Sequence, residues 1–143
     1  MNVLKLVSIA RAYAALSKDP STKVGAIIVD DDCNVLSEGF NGFPRGVSDL
    51  HTRYQDRPTK YQFTAHAELN AISQAARKGV KTLGGTLIVT ALHPCNVCAG
   101  AIIQAGIKRV YAPINNANNR WDSATEVAKT MLTEAGVEVL PYE

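Results

Sequence analysis

Four side chains in this sequence have types and spacings suited to chemistry. His66 and Glu68 stand two apart, and Cys95 and Cys98 stand three apart directly after Pro94. One imidazole and two thiols make a nitrogen–sulfur donor set that suits zinc. Three protein ligands leave the fourth tetrahedral position open for water, as catalytic zinc sites do. Zinc lowers the pKa of such a water toward neutrality. Glu68, beside the ligand His66, is placed to take that water's proton and to return it later, acting as base and then acid. The expected activity is therefore a metal-assisted hydrolysis.

The elements around these residues should bring them together. His66 and Glu68 open a helical pattern that continues through Leu69, Ala71, Ile72, Ala75 and Ala76; Cys95 and Cys98 open another through Ala101, Ile102 and Ala105. Residues three apart share a helix face, so both sulfurs can point at one ion. Helix N-termini carry partial positive charge and free N–H groups, which favour thiolate over thiol. A closed structural site would need a fourth ligand. Cys33, His51 and His93 are the other Cys and His residues, and Cys33 falls in an expected hairpin turn. A disulfide framework is disfavoured by three cysteines, an odd number, and by a Cys-x-x-Cys spacing without secretory context.

The periodicity over Met1 to Ser17 predicts an amphipathic helix, with Val3, Leu6, Val7, Ala10, Ala14 and Leu16 on one face. Val24 to Val29 and Val35 to Phe40 predict an antiparallel hairpin, and Asp30-Asp31-Asp32 reads as its solvated turn. From Asn41 to Thr64 the pattern breaks into a long, irregular connection with scattered aromatics, a length that points to an ordered functional segment. Helices over Ala65 to Lys78 and Cys95 to Ala105 alternate with strands Thr86 to Thr90 and Arg109 to Ala112. An Asn-rich loop, Pro113 to Asn119, precedes a capping box at Ser123 and Glu126 that opens a helix reaching Ala135. Val137 to Leu140 is a last strand. The order α-β-β-α-β-α-β-α-β predicts an α/β fold with a mostly parallel sheet covered on both faces and the hairpin at one side. The motif helices should begin at one sheet end, the usual ligand position.

At 143 residues the chain is one domain's worth, expected to span 1–143. No apolar run is long enough to cross a bilayer. Met1 to Leu16 carries charges within its apolar pattern, unlike a signal peptide. Unpaired cysteines fit a reducing cytoplasm, which is the expected location. A net charge of +2, spread through both halves, argues against a long nucleic-acid groove.

The His-x-Glu and Pro-Cys-x-x-Cys pair matches the signature of the zinc deaminases. Along almost its whole length the chain resembles the cytidine deaminase superfamily, and within it the deoxycytidylate (dCMP) deaminases. The narrower resemblance is carried by Asp19 to Ala26, Gly39 to Gly46, His66 to Ile72, Cys95 to Ile107, and Ala135-Gly136-Val137; Asp56 to Tyr61 looks like the bacterial and phage type. It implies a three-layer cytidine-deaminase-like fold, a five-stranded mixed sheet with helices on both faces. It implies hydrolysis of dCMP to dUMP and ammonia, feeding dTMP synthesis in a bacterium or an infected host cell. It also implies a homo-oligomer, commonly a hexamer, activated by dCTP and inhibited by dTTP, with Mg2+ accompanying a triphosphate effector.

Residue by residue, the resemblance gives His66, Cys95 and Cys98 as zinc ligands and Glu68 as the catalytic residue. It gives Thr22, Lys23, Asn41, Ala67, Tyr111 and Trp121 as the substrate set. Lys23 reads either as a phosphate ligand or as a solvated lysine. Asn41 reads either as a partner of the 3′-hydroxyl or as a turn residue beside Gly42; Trp121 and Tyr111 read as pocket wall or as core. The effector set is Asn41, Gly42, Arg45 and Asp49, with Lys60 and Tyr61. Two departures stand out: Phe40 replaces a frequent tyrosine, and Cys33, His51 and His93 are too scattered for a second zinc. A tRNA adenosine deaminase, whose zinc motif is similar, and a non-catalytic nucleotide sensor are the competing readings.

Overall fold

A computed structural model describes residues 1–114 and 123–143. Gly25–Val29 (β1) and Val35–Phe40 (β2) pair antiparallel. Their turn is closed by Asp30, whose Oδ1 accepts the backbone N–H of Asp32 and of Asn34, each at 2.9 Å. Three further strands, Thr86–Val89 (β3), Arg109–Pro113 (β4) and Glu138–Tyr142 (β5), complete a sheet of order β2-β1-β3-β4-β5. β1 is antiparallel to both its neighbours, whereas β3–β4 and β4–β5 are parallel. The sheet is thus evenly mixed, not mostly parallel. The connection from β2 passes over β1 before β3 begins, so β2 and β3 run the same way with β1 wedged between them. Periodicity shows that a helix intervenes, but not how many strands it crosses.

Val3–Ala14 (α1) covers one face of the sheet through Leu6, Val7 and Ala10, packed on Ile27, Val29 and Ile88. On the other face lie Ala67–Lys78 (α4), Asn96–Gln104 (α5) and Ser123–Glu134 (α6), with Ala71, Ala99, Ile102, Ala128 and Leu132 packed on Ala26, Ile28, Leu87, Val89 and Val110. The alternation 26/28 against 27/29 is the period-two rule of strands buried on both sides.

The segment 41–64, expected as irregular, contains two short helices, His51–Gln55 (α2) and Arg57–Phe63 (α3). Asp56 caps α3 by accepting the N–H of Thr59, with Pro58 in the first turn. Phe43 stacks on Tyr54 at 4.2 Å, and Arg53 lies 4.5 Å from the centre of the Phe63 ring, so the insert carries its own aromatic cluster. Helices of five and seven residues are too short to show periodicity, which explains why the pattern seemed to break there.

α1 and α4 approach the hairpin at two glycines. A Cβ on Gly25 would lie 2.0 Å from the Ala10 carbonyl oxygen, and one on Gly39 would lie 2.5 Å from the Ala71 nitrogen and 2.6 Å from the Ala67 oxygen. Backbone atoms cannot step aside as a side-chain tip does. Gly39→Ala is therefore expected to cost about 3 kcal/mol and to lower the thermal midpoint by roughly 10 °C. Gly42→Ala, with nothing within 4 Å of its new methyl, is the control and should leave the midpoint in place. Equal midpoints for the two variants would mean that α4 does not sit on β2 as described.

Candidate active site

β2 and β3 run parallel, so the segments leaving them emerge at the same end of the sheet, and the N-termini of α4 and α5 meet there. His66 is the N-cap of α4 and Cys95 the N-cap of α5, and neither side chain caps its helix. N-caps favour Ser, Thr, Asp and Asn, which satisfy a free N–H. At both helix starts that local preference is set aside, a pattern expected at functional positions. The side chains turn instead toward one another. His66 Nδ1 lies 3.4 Å from Cys95 Sγ and 3.5 Å from Cys98 Sγ, and all three ligand atoms fall within 4.8 Å. A tetrahedral ion with zinc's usual bonds to nitrogen and sulfur separates its ligands by about 3.6 Å. Donor chemistry and spacing both fit zinc.

By themselves, the three groups compete for protons, and one thiol gains the negative charge. The Cys95 thiol is lowered to about 4, chiefly by the hydrogen bond with Cys98, against the opposing effect of burial and with help from His66. Cys98 is driven upward by that same contact and by burial. His66 is raised by its contact with Cys95, which outweighs burial, and by the nearby charge of Glu68. Glu68, in the first turn of α4, is buried to 5 % exposure. Burial pushes its carboxyl up to about 7, where it can both take and give a proton near neutral pH.

These groups close one end of a cavity also lined by Asp19, Thr22, Val24, Asn41, Lys60, Tyr61, Thr64, Ala67, Leu92, His93 and Thr125. Three residues of the expected substrate set are in this wall: Thr22, Asn41 and Ala67. Asn41 is anchored at both ends of its amide, its Oδ1 accepting the Val24 N–H and its Nδ2 donating to the Thr22 carbonyl, each at 2.9 Å. It therefore holds the Thr22–Val24 segment in the cavity wall. Lys23 does not line the cavity; its ammonium donates to the Ser17 carbonyl. Tyr111 projects to the opposite face of the sheet, with the α1 cluster. Trp121 lies outside the described residues.

The expected effector residues divide. Gly42 and Arg45 line a second cavity with Tyr13, Glu38, Gly39, Phe40, Phe43, Pro44, Asn70 and Gln74, and Arg45 donates to Gln74 Oε1 at 2.6 Å. Asp49 is engaged at the surface by Lys18 at 2.8 Å and by the Tyr54 hydroxyl at 3.2 Å; its carboxyl is lowered, mainly by Lys18. Asn41, Lys60 and Tyr61 belong to the first cavity. An isolated bridge, Gly42 N–H to Ala65 carbonyl and Ala65 N–H to Gly42 carbonyl, ties Gly42 of the second cavity to the residue between Thr64 and His66 of the first.

Sequence reasoning missed Asp19, Thr64, His93 and Thr125 as wall residues. Asp19 sits in an Asp-Pro-Ser-Thr turn that ordinarily faces water. Here it is 5 % exposed and accepts the N–H of Ser21 at 2.8 Å and of Thr22 at 3.2 Å. Nothing local distinguishes a turn aspartate that is buried by a later helix from one that is not. His93 donates from Nδ1 to the Pro94 carbonyl at 2.9 Å, and burial lowers its pKa.

Comparison with known proteins agrees with this geometry. A family described as the cytidine and deoxycytidylate deaminase zinc-binding region matches residues 2–113. The deoxycytidylate deaminase of Homo sapiens is 40% identical over 136 residues, covering 92% of this chain and 74% of that protein. An uncharacterized deaminase of Aliivibrio fischeri, from the luxG 3′ region, is 42% identical over 137 residues, covering 94% of this chain and 89% of its own. The crystal structure of the dCMP deaminase from cyanophage S-TIM5 in complex with dCMP and dUMP superposes with a TM-score of 0.77 at 28% identity, covering 99% and 98% of the two chains. The converging imidazole and thiols, the buried glutamate beside them and the matched length lead to one assignment: this chain belongs to the cytidine and deoxycytidylate deaminase family.

Proposed function

We propose that the protein hydrolyses dCMP to dUMP and ammonia. The observation that carries this reading is the buried Glu68 two residues from His66, at the end of a cavity where His66, Cys95 and Cys98 converge. Zinc held by those three residues would supply a water acidic enough to act as hydroxide near neutral pH. Glu68 takes a proton from that water and delivers it to ring N3, which makes C4 the better electrophile. After water's oxygen adds to C4, Glu68 takes the remaining proton from that oxygen and carries it to the exocyclic nitrogen; the C4–N bond breaks, the C4 carbonyl forms and ammonia leaves. One carboxyl serves in both directions because its pKa lies near the operating pH. Ala67, a buried wall residue, stands between His66 and Glu68 in the chain.

The second cavity, with Gly42 and Arg45, is the proposed seat of dCTP and dTTP, with Mg2+ accompanying the triphosphate. Ala65 bridges Gly42 and precedes His66, so a ligand there has a short route to the metal ligands. The product feeds dTMP synthesis.

Ammonia release from dCMP, deoxycytidine, CMP and a tRNA anticodon stem-loop tests the reading. Turnover of dCMP should be highest, rising with dCTP and falling with dTTP. Turnover confined to the stem-loop would transfer the assignment to a tRNA adenosine deaminase. Binding of dCMP with no turnover of any substrate would favour the sensor. Indifference to both triphosphates would retain the reaction and remove the second cavity from its regulation.

A further inference from the structure

A nucleoside monophosphate brings a charged phosphate into a cavity whose wall already contains two carboxylates, Asp19 and Glu68. Beside two carboxylates, such a ligand is best held by a cation. Among the described residues lining the cavity, Lys60 is the one lysine or arginine. We propose that Lys60, set in place by Asp19, is the group that recognises the substrate's phosphate and so selects a nucleotide over a nucleoside. This rests on the deamination reading above and assigns to Lys60 the phosphate contact expected of Lys23.

Three observations support the assignment. Lys60 is 5 % exposed, and its Nζ lies 3.3 Å from Asp19 Oδ1, with both side chains at 7% exposure. An isolated buried ion pair seldom improves stability over an apolar pair of the same shape, because desolvating both charges is costly. Its presence in a cavity wall therefore points to recognition. Second, Asp19 is itself fixed: the N–H groups of Ser21 and Thr22 bind the same oxygen that Lys60 reaches. Those donors temper the carboxylate's repulsion of an entering anion while leaving it able to hold the ammonium. Third, the ammonium stands 5.5 Å from the centre of the Tyr61 ring, and Tyr61 is a cavity residue that is 56% exposed. Lys60 is thus held between a fixed carboxylate and an aromatic ring on the solvent side. Lysine has three N–H donors, so binding Asp19 leaves capacity for phosphate oxygens. Lys23, by contrast, is turned into the Ser17 carbonyl.

The test uses the zinc-loaded enzyme and compares kcat/KM for dCMP with that for deoxycytidine. The wild type should prefer dCMP. Lys60→Met should lower kcat/KM for dCMP by about 10- to 100-fold, the range expected for one charge-assisted hydrogen bond, with deoxycytidine changed by no more than about twofold. Lys60→Arg should keep most of the preference. Because Lys60→Met leaves Asp19 buried without its partner, the double variant Asp19→Asn with Lys60→Met removes both charges at nearly constant shape. It should show the same collapse of preference with its fold intact. An unchanged ratio in both variants, or equal loss on both substrates, would overturn the proposal, since a merely structural pair moves the two together. A wild type without preference for dCMP would overturn it as well. Should the wild type deaminate neither compound, the deamination reading fails by itself, and calorimetric titration with dUMP and deoxyuridine decides the role of Lys60. Loss of dUMP binding alone in Lys60→Met supports it, and equal losses or no dUMP binding by the wild type reject it.

Discussion

Glu68→Gln should lower the turnover of dCMP by about 10,000-fold while zinc stays bound and the thermal midpoint does not fall. Gln keeps the volume and one carbonyl oxygen of Glu but cannot exchange protons. The proposed reaction uses this carboxyl for removal of a proton from water, delivery to N3 and delivery to the leaving nitrogen. All three are lost together, so the upper end of the range for acid–base catalysis applies. Stability should move the other way. Glu68 is buried, and burial holds its carboxyl near 7, so at higher pH the fold carries a desolvated charge. An amide removes that burden, an instance of a site residue retained for activity at some expense in stability. Zinc content, measured by atomic absorption, separates this outcome from loss of a ligand. Retention of full turnover would remove Glu68 from the mechanism. A fall in midpoint together with zinc loss would make Glu68 a structural residue.

The convergence of His66, Cys95 and Cys98, with Glu68 beside them, was legible in the sequence because the pattern is local. A His-x-Glu and a Cys-x-x-Cys at two helix starts need only the sheet to bring those starts together, and the alternation of elements supplies it. The buried strands β1 and β3 were equally plain as apolar runs. What the sequence did not reveal depends on contacts distant along the chain. Lys60 and Asp19 are separated by 41 positions, so neither the expected effector lysine nor the turn aspartate announces the other as its partner. Tyr111 lies midway along β4, and a strand's two-residue period sends its ring to the α1 face, away from the cavity. Lys23 stands beside the wall residue Thr22, but its ammonium donates to the Ser17 carbonyl, a contact set by the chain six positions earlier. Short helices α2 and α3 were not predicted because five or seven residues show too little period.

Cys98→Ala should abolish stoichiometric zinc binding and, with it, turnover of dCMP. Loss of an outer partner of a metal ligand already weakens affinity by about 10- to 100-fold, and here a direct ligand goes. Cys98 is 1% exposed, its Sγ lies 3.5 Å from His66 Nδ1, and no other Cys or His in the described residues joins the cluster to replace it. The readout that does not depend on activity is thermal. An ion that binds only the folded chain stabilises it by about 4 kcal/mol when present at a thousand times its dissociation constant. Wild-type protein should therefore lose several degrees of midpoint on chelation and regain them with Zn2+. Cys98→Ala should show a low midpoint that Zn2+ does not move. Cys33→Ala is the matched control, because Cys33 is exposed at the hairpin turn; it should retain zinc, turnover and the zinc-dependent shift. A wild type whose midpoint and turnover are both untouched by chelation would show that His66, Cys95 and Cys98 are not a metal site, and their convergence at two uncapped helix starts would need another cause.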